Sequence, residues 1–347
     1  CALSLATPAA TLAAAGALAR RGILVRRLEA LESGAEIDTV LFDKTGTLTA
    51  DGMALATTTT RQGVSAEQAL CLAAALAQYS LHPLSRALVR AAGMGSGESN
   101  SNSATSVADL AEEPGRGLRA RVMTGSNGQA HLLRLGSAGF CDVAPQEAEA
   151  EGTQVHLADE QGWLASFWLD ETLRPDAKPA VGALEALGLD VCLLSGDRTA
   201  AVARLAFRAG IGQALGQQTP EGKLAHIGLL QQRGHRVAMV GDGLNDAPVL
   251  ARADVSVAMG QAVPLAQAQA DFVVPGGQLA AVATFLAHAR RTRAVVRQNL
   301  LWAAVYNAVC VPLAVLGLMP PWLAGMGMAA SSLLVVFNSA RLARISD

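Results

Sequence analysis

The stretch Asp43-Lys44-Thr45-Gly46-Thr47-Leu48-Thr49 constrains the fold of this chain more than any other. It follows an apolar run, 39–42, whose β-branched and aromatic residues predict a buried strand. Asp43 then falls at the carboxyl end of a strand, where open α/β sheets bind ligands. A carboxylate there can attack the γ-phosphoryl group of ATP, while Lys44 offsets negative charge and Mg²⁺ bridges the oxygens. The stretch therefore predicts a phosphorylation site at Asp43.

Strands and amphipathic helices alternate between residues 163 and 288. Apolar strands are expected at 163–169, 191–194 and 237–240, with a helix at 177–187 after the first of them. This alternation is typical of an α/β fold with a doubly wound parallel sheet. The strand before Asp43 is needed to begin that sheet, so the intervening segment is expected to be an inserted domain.

Polar residues follow the predicted strands and supply what phosphoryl transfer requires. Ser195-Gly196-Asp197 follows one strand and Gly241-Asp242-Gly243-Leu244-Asn245-Asp246 follows another. Mg²⁺ prefers oxygen ligands, so Asp43, Asp242 and the Thr45 carbonyl are its expected ligands. The hydroxyl of Ser195 and the amide of Gly196 are expected to hold the phosphoryl oxygens, with Lys223 as the cation.

The C-terminal segment predicts a membrane hairpin. Hydrophobic residues make up 51% of the chain and charged residues 16%, and the mean hydropathy of +0.30 is high for a soluble enzyme. Residues 299–319 are uncharged and would rise about 31 Å as a helix, which is enough to span a bilayer. A second apolar run, 322–337, follows a turn at Pro320-Pro321. Arginines at both ends predict that both ends face the cytoplasm: Arg290, Arg291, Arg293, Arg297, Arg341 and Arg344.

The first residues and the overall charge narrow the class of protein further. Residues 1–19 lack charge but are short for a bilayer, and the chain begins at Cys1 with no basic segment before it. We interpret the chain as the C-terminal part of a longer protein, with its first residue inside a membrane helix of that protein. A net charge of −2 gives no bulk attraction to nucleic acid. The five cysteines form no CxxC pair, which favours free thiols over a disulfide framework or a zinc site.

The heptapeptide at 43–49 resembles the signature of P-type ATPases, cation pumps that pass through an aspartyl phosphate. Ser195-Gly196-Asp197, Lys223 and the run 241–248 strengthen this resemblance because they occur in the family's order. The resemblance implies a haloacid-dehalogenase-like phosphorylation domain and transmembrane helices, with Asp197, Asn245 and Asp246 completing the catalytic site. It implies ATP as the substrate and Mg²⁺ as the cofactor.

The run from Cys1 to Pro8 resembles the sixth membrane helix of heavy-metal pumps, entered at the second cysteine of Cys-Pro-Cys. Tyr306-Asn307, Met328 and Ser331-Ser332 are similar to the signatures of copper(I)-transporting members. Zinc-type members carry a lysine and an aspartate in these helices, and neither residue type occurs here. Soft thioether and thiolate ligands suit copper(I). The residues expected to contact the transported ion are Cys1, Tyr306, Asn307, Met328 and Ser331.

Residues 57–162 resemble the α+β nucleotide-binding domain of heavy-metal pumps through Ser80-Leu81-His82-Pro83-Leu84 and Pro114-Gly115-Arg116-Gly117. The resemblance implies that His82, Pro83, Gly115 and Gly117 contact ATP. The match is partial. Leu81 and Ala77 stand where the family often has an acidic residue, Ala120 replaces the third glycine, and Gly136-Ser137 stands for the later Gly-Asn pair.

Thr45 separates this chain from soluble phosphatases of the haloacid-dehalogenase class, which carry a second aspartate at that position. A threonine hydroxyl cannot activate water as a general base near pH 7, so an aspartyl phosphate should persist. In the pump family a glutamate of a separate actuator domain triggers hydrolysis. That domain would precede Cys1, so we expect the chain to be phosphorylated but not to transport by itself.

The expected domains are half of a membrane helix at 1–19, a phosphorylation domain at 20–56 and 163–288, the inserted domain at 57–162 and a hairpin with a short tail at 289–347. The resemblance implies the bacterial cell membrane, with catalytic domains in the cytoplasm and a cytosolic copper chaperone as a partner. Three alternatives remain open. They are a soluble-type phosphatase, a zinc- or cadmium-type pump, and a non-catalytic, membrane-anchored metal-binding module.

Overall fold

The computed structural model describes residues 2–93, 105–124, 130–143, 153–242, 247–260 and 269–344. The chain forms two compact units, one made of Cys1–Thr49 with Leu173–Asp347 and the other of Ala50–Thr172. The second unit is thus a continuous segment within the sequence of the first.

The elements of the described residues are as follows, in chain order. The strands are β1 (Leu24–Val25), β2 (Thr39–Asp43), β3 (Thr49–Thr60), β4 (Thr105–Glu113), β5 (Gly117–Thr124), β6 (Ala130–Gly136), β7 (Thr153–Asp159), β8 (Gly162–Leu173), β9 (Asp190–Leu194), β10 (Gln213–Leu215), β11 (Val237–Gly241), β12 (Val255–Met259) and β13 (Phe272–Val274). The helices are α1 (Ala2–Arg20), α2 (Ala30–Gly34), α3 (Ala66–Ala77), α4 (Pro83–Ala91), α5 (Ala177–Ala186), α6 (Thr199–Ala209), α7 (Pro220–Gln232), α8 (Ala247–Arg252), α9 (Ala280–Val315) and α10 (Pro321–Ala340).

The first unit contains a seven-stranded sheet in the order β1-β13-β12-β11-β2-β9-β10, parallel throughout except for the edge pair β1–β13. Every residue of β2 is buried, because the sheet has an apolar core on each face. Val40 and Phe42 belong to one core, while Leu41 packs with Ile227 of α7 in the other. Alternate side chains of a strand point to opposite faces, so both faces of this sheet are covered. The predicted doubly wound α/β fold is confirmed.

The second unit contains a six-stranded sheet in the order β3-β8-β7-β6-β5-β4, with α3 and α4 packed on its apolar face. The strands from β8 to β4 pair antiparallel. A capping box between Ser65 and Gln68 begins α3. The strand predicted at 163–169 exists as part of β8, but its placement in the parallel sheet is wrong. β8 pairs antiparallel with β7, with Trp163 opposite Ala158.

Three long helices, α1, α9 and α10, pack together in the first unit. Asn299 of α9 donates a hydrogen bond to Ser339 Oγ (3.0 Å) and accepts one from Asn338 (2.8 Å), which pairs α9 with α10. By length and composition, α9 and α10 are able to cross a membrane. The predicted turn is longer than Pro320-Pro321: α9 ends at Val315, residues 316–320 form the link, and Pro321 is the first residue of α10. Gly317, with φ +72°, allows the chain to leave the helix.

Candidate functional site

The carboxyl ends of the central strands bring the predicted polar residues to one edge of the sheet. In the parallel registers Asp43 lies beside Leu194, and Phe42 lies beside Val240. Ser195 directly follows β9 and Asp242 directly follows β11, so both lie at the edge where Asp43 ends β2. Because β2 is the strand from which the order runs outward in both directions, this edge is a topological switch point, where such folds bind ligands. We call the site formed by Asp43, Ser195, Lys223 and Asp242 the crevice.

A buried ion pair lies at the centre of the crevice. Lys223 Nζ is 2.6 Å from Asp43 Oδ1, and both residues are more than nine-tenths buried. Lys223 is placed by α7, which begins at Pro220 and is capped by the Thr219 side chain, an acceptor for the amide of Gly222 (3.1 Å). A cation so close to the carboxylate offsets the negative charge that an incoming phosphoryl group adds.

The turn after β2 makes room for the second carboxylate. Gly46 has φ +69°, and a Cβ at this position would lie 2.6 Å from Asp242 Oδ2. A residue with a side chain would therefore be both strained and in collision with Asp242. The missing Cβ leaves space for the Asp242 carboxylate next to the turn that follows Asp43. Asp43, Asp242 and the Thr45 carbonyl all offer hard oxygen donors. These residues fit Mg²⁺, which prefers such ligands.

The remaining predicted residues of the phosphate side lie in the loop after β9. Lys44 forms an ion pair with Asp197, and the Asp197 amide donates to Ser195 Oγ at 3.2 Å. The Ser195 amide donates to Leu215 O (3.0 Å), so this loop is tied to β10. Gly196 lies between Ser195 and Asp197 in the sequence. A Cβ on Gly196 would lie 3.4 Å from Gln218 O, which is an ordinary contact distance. The predicted Asn245 and Asp246 lie outside the described residues.

Arg174, which was not predicted from the sequence, supports the turn that follows Asp43 of the crevice. Its Nε donates to Thr47 O (2.8 Å) and its Nη2 donates to Gly46 O (3.1 Å), so one guanidinium holds two carbonyls of the turn after Asp43. A Cβ on Gly277 would approach Arg174 Nη1 to 3.1 Å, which shows how closely the guanidinium is enclosed. The sequence signal was the Arg-Pro-Asp run that directly follows β8.

The second unit contains a cleft of about 220 Å³ that collects most of the predicted nucleotide contacts. His82, Gly115, Gly117, Gly136 and Ser137 line it, and we call it the glycine cleft. His82 caps α4, with Nδ1 accepting from the Leu84 amide at 3.3 Å. Pro83, also predicted to contact ATP, is the first residue of α4 and does not line the cleft.

Two glycines of this cleft face each other across β5 and β6. Gly117 pairs with Gly136, and a Cβ on Gly117 would lie 2.3 Å from Leu135 O. A Cβ on Gly136 would lie 2.2 Å from Arg116 O. Both positions thus require glycine, because the two backbones approach each other too closely for a side chain.

A third cleft, of about 200 Å³, lies between α9 and α10. We call it the hairpin cleft. Four of the predicted metal contacts, Tyr306, Asn307, Met328 and Ser331, line it together. A Cβ on Gly327 would meet the Tyr306 hydroxyl at 2.7 Å, so this glycine lets the phenol reach α10. Cys310 and Met319 also line the cleft, and neither was predicted from the sequence to contact the ion. The fifth predicted contact, Cys1, lies outside the described residues.

Comparison with known proteins finds relatives along almost the whole chain. The family model described as haloacid dehalogenase-like hydrolase matches residues 37–254. The chain is 42% identical over 345 residues to the nitrogen fixation protein FixI of Rhizobium leguminosarum bv. viciae. It is 38% identical over 351 residues to the probable copper-exporting P-type ATPase V of Mycobacterium tuberculosis. Both alignments include 99% of this chain but only 43% and 45% of the relatives, so the chain spans less than half of their length.

Solved structures share the fold. A zinc-transporting PIB-type ATPase in its E2.Pi state superposes with a TM-score of 0.87 at 32% identity, covering 99% of this chain and 56% of that one. The catalytic domain of the CPx-ATPase CopB-B superposes with a TM-score of 0.57 at 28% identity, covering 77% of this chain and 96% of that one.

Proposed function

Because the chain belongs to the haloacid dehalogenase-like hydrolases and, within them, to the heavy-metal P-type ATPases, we propose that it drives heavy-metal transport through an aspartyl phosphate on Asp43. The observation that carries this proposal is the buried Lys223–Asp43 ion pair at the strand ends, with Asp242 beside the turn that follows Asp43. Nucleophile, cation and metal ligand thus share one edge of the sheet.

In the proposed step, an Asp43 carboxylate oxygen attacks the γ-phosphorus of ATP. The bond from that phosphorus to the β–γ bridging oxygen breaks, and ADP leaves with the electron pair. Lys223, with Ser195 and the Gly196 amide, offsets the charge on the transferred oxygens. Mg²⁺, when bound by Asp43, Asp242 and the Thr45 carbonyl, would supply further charge neutralisation. Asp197 holds the Lys44 ammonium within this edge.

We assign ATP binding to the glycine cleft. Three of the predicted ATP contacts, His82, Gly115 and Gly117, line this one cleft. Arg116 lies over the Phe140 ring at 5.4 Å and also lines this cleft, where its guanidinium can attract phosphate. Pro83 has a helix-start role, so we do not count it among the ATP contacts.

Thr45 determines the lifetime of the phosphorylated state in this proposal. Its hydroxyl has no acid–base capacity near neutral pH, so the acyl phosphate waits for a base from elsewhere. A long-lived acyl phosphate is what a transport cycle requires and what a soluble-type phosphatase avoids.

Copper(I) is the proposed cargo. The hairpin cleft offers sulfur from Met328 with the oxygens of Tyr306, Asn307 and Ser331, and among the described lining residues none is charged. Soft, neutral ligands favour copper(I) over zinc(II). The named copper-exporting relative supports copper, while the zinc-transporting structure keeps a zinc pump as the second candidate. We place the hairpin in a bacterial cell membrane with the catalytic units in the cytoplasm, where a copper chaperone can deliver the ion.

The test is phosphorylation of the full chain by γ-labelled ATP in detergent, with Cu(I), Ag(I) or Zn(II) present. We expect an acid-stable, hydroxylamine-sensitive label on Asp43 that Cu(I) and Ag(I) increase. Absence of any label on Asp43 would refute the aspartyl phosphate, and an increase with Zn(II) alone would assign the chain to zinc transport.

A further inference from the structure

The hairpin cleft contains two sulfur atoms to which the proposed function assigns no role. Cys310 lies one helical turn after Tyr306, and its thiol is within hydrogen-bonding reach of the Tyr306 hydroxyl. Met319 comes from the link between the helices, and Met328 comes from α10. Sulfur atoms from α9, from the link and from α10 therefore line the same cleft.

Ser331 independently indicates that a ligand is missing from this cleft. It is 2% exposed, it lines the cleft, and its hydroxyl has no hydrogen-bond partner. A buried hydroxyl without a partner is costly, and such a group is usually satisfied by a bound ion, water or ligand. The neighbouring Ser332, by contrast, donates to Met328 O at 2.9 Å.

The charge of the cleft restricts which ion is acceptable. Of the described residues lining it, none is Asp, Glu, Lys, Arg or His, so the Cys310 thiol and the weaker acid of the Tyr306 phenol are the groups among them that can become anionic, and the thiol ionises first. A thiolate and a monovalent cation sum to zero charge, whereas a thiolate and a divalent cation leave one positive charge. An uncompensated charge is expensive in an apolar helix hairpin.

We propose that Cys310 is a thiolate ligand of the transported ion and that, with the thioethers of Met319 and Met328, it selects a soft monovalent cation. This inference rests on the proposed function, because it concerns the same cargo. On binding, the S–H bond of Cys310 breaks as the sulfur–metal bond forms, and the proton passes to water. Neither atom is oxidised or reduced.

The binding experiment uses the full chain in detergent and silver(I) as a soft monovalent probe without redox chemistry. Cys71→Ser removes an exposed thiol, and Cys1→Ala removes a thiol that is itself a predicted contact of the ion, so that the remaining affinity reports on the hairpin cleft. Cys141 and Cys192 stay, because burial raises the pKa of each thiol to about 11 and keeps it protonated. Silver affinity is measured by chelator competition, proton release by a pH indicator, and maleimide labelling of the Cys310 peptide by mass spectrometry.

We expect one proton released per silver ion, protection of Cys310 from maleimide, and a loss of affinity of about tenfold or more in Cys310→Ser. Met319→Leu should weaken binding by a smaller factor. Met326→Leu is the matched control, since Met326 is exposed on α10 and does not line the cleft; it should change affinity less than twofold. Retained phosphorylation of Asp43 in Cys310→Ser shows that this variant is folded.

Two results together overturn this inference. Cys310→Ser binds silver within twofold of the parent affinity, and silver does not protect Cys310 of the parent from maleimide. If Met328→Leu still weakens silver binding in that case, the proposed cargo site stands without Cys310. Failure of ATP to label Asp43 refutes the proposed function separately, because silver binding to the hairpin cleft requires no ATP.

Discussion

The crevice and the hairpin cleft are built from opposite kinds of ligand. The crevice combines carboxylates with a buried ammonium 2.6 Å from Asp43, so its chemistry depends on full charges in fixed places. The described lining of the hairpin cleft is uncharged and offers sulfur and neutral oxygen. Hard oxygen ligands suit Mg²⁺ and a buried ammonium suits phosphate, whereas polarisable sulfur suits a soft ion. In the proposed function, the ion that assists phosphoryl transfer and the ion that is carried would therefore bind to different kinds of site.

Replacing the nucleophile tests the independence of the two sites most severely. Asp43→Asn should reduce phosphorylation by ATP more than about 10³-fold, because an amide cannot form the acyl phosphate. Silver affinity of the same variant should stay within twofold of the parent. Acid-quenched labelling and chelator competition on one preparation measure both quantities. A large loss of silver affinity would show that the two sites are not separable.

Removing the cation tests how far charge dominates the crevice. Lys223→Gln should lower the phosphorylation rate about 10²-fold, since the transferred oxygens lose a cation placed beside Asp43. Lys178→Gln is the matched control, because Lys178 is an exposed lysine on α5 of the same unit. Rapid-quench labelling compares the variants, and equal rates in both would remove Lys223 from the mechanism.

A carboxylate placed in the hairpin cleft should make it resemble the crevice. Met328→Asp exchanges a thioether for a hard anion, so the preference for Zn(II) over Ag(I) should rise about tenfold or more. Met326→Asp puts the same charge on α10 outside the cleft and should leave the preference unchanged. Competition titrations with both ions give the ratio. An unchanged ratio in Met328→Asp would show that ligand softness does not decide the cargo.

The turn after Asp43 offers a smaller, steric test. Gly46→Ala should weaken Mg²⁺-dependent phosphorylation about tenfold, because the new Cβ meets Asp242 Oδ2 at 2.6 Å and the φ of +69° is strained. Gly188→Ala carries the same kind of strain, at φ +72°, but nothing lies within 4 Å of its Cβ. A Mg²⁺ titration of the labelling rate should therefore be normal in the control. Equal defects in both variants would point to strain alone.

The smallest expected effect concerns a buried polar group outside both sites. Burial lowers the pKa of His156, whose Nδ1 is 2.7 Å from Ser166 Oγ in the second unit. An unfolded histidine has a pKa near about 6.5, so the unfolded state takes up the proton first as the pH falls. Above a pH of about 6.5, the free energy that protects the β7 and β8 amides from hydrogen exchange should be at its maximum. Below it, protection should decline by at most about 1.4 kcal/mol per pH unit.

His156→Gln should flatten that decline, while His131→Gln, on the exposed side of β6, should preserve it. Hydrogen exchange between pH 5.5 and 7.5 measures the slope. A steeper slope in His156→Gln would assign the pH dependence to another group.

The positions of the crevice residues at strand ends could be predicted because their cues are local, whereas their roles remain a prediction. A strand followed at once by a distinctive polar run places Asp43, Ser195 and Asp242 at strand ends, and the family resemblance is confirmed. β8 was assigned to the wrong sheet because six of its residues in succession are buried, as in a central parallel strand. Only pairing with β7, which depends on distant residues, distinguishes the two.

The residues that were not predicted are brought to their sites by contacts between distant parts of the chain. Cys310 and Met319 lie in ordinary apolar surroundings, and only the packing of α9 against α10 brings them to Met328. Arg174 follows a strand that belongs to the other unit, and its contact with the Gly46 carbonyl spans 128 residues of chain. Sequence spacing carries no record of such contacts, whereas a strand with its following turn is contained in about ten residues.

The two points at which residues 50–172 interrupt the first unit lie close together. The Arg174 amide donates to Leu48 O at 2.9 Å, so the chain leaves the first unit and returns to it at two residues joined by a hydrogen bond. A short turn is sufficient to bridge that gap. We therefore expect that a short turn could replace residues 50–172 and still join the two halves of the seven-stranded sheet.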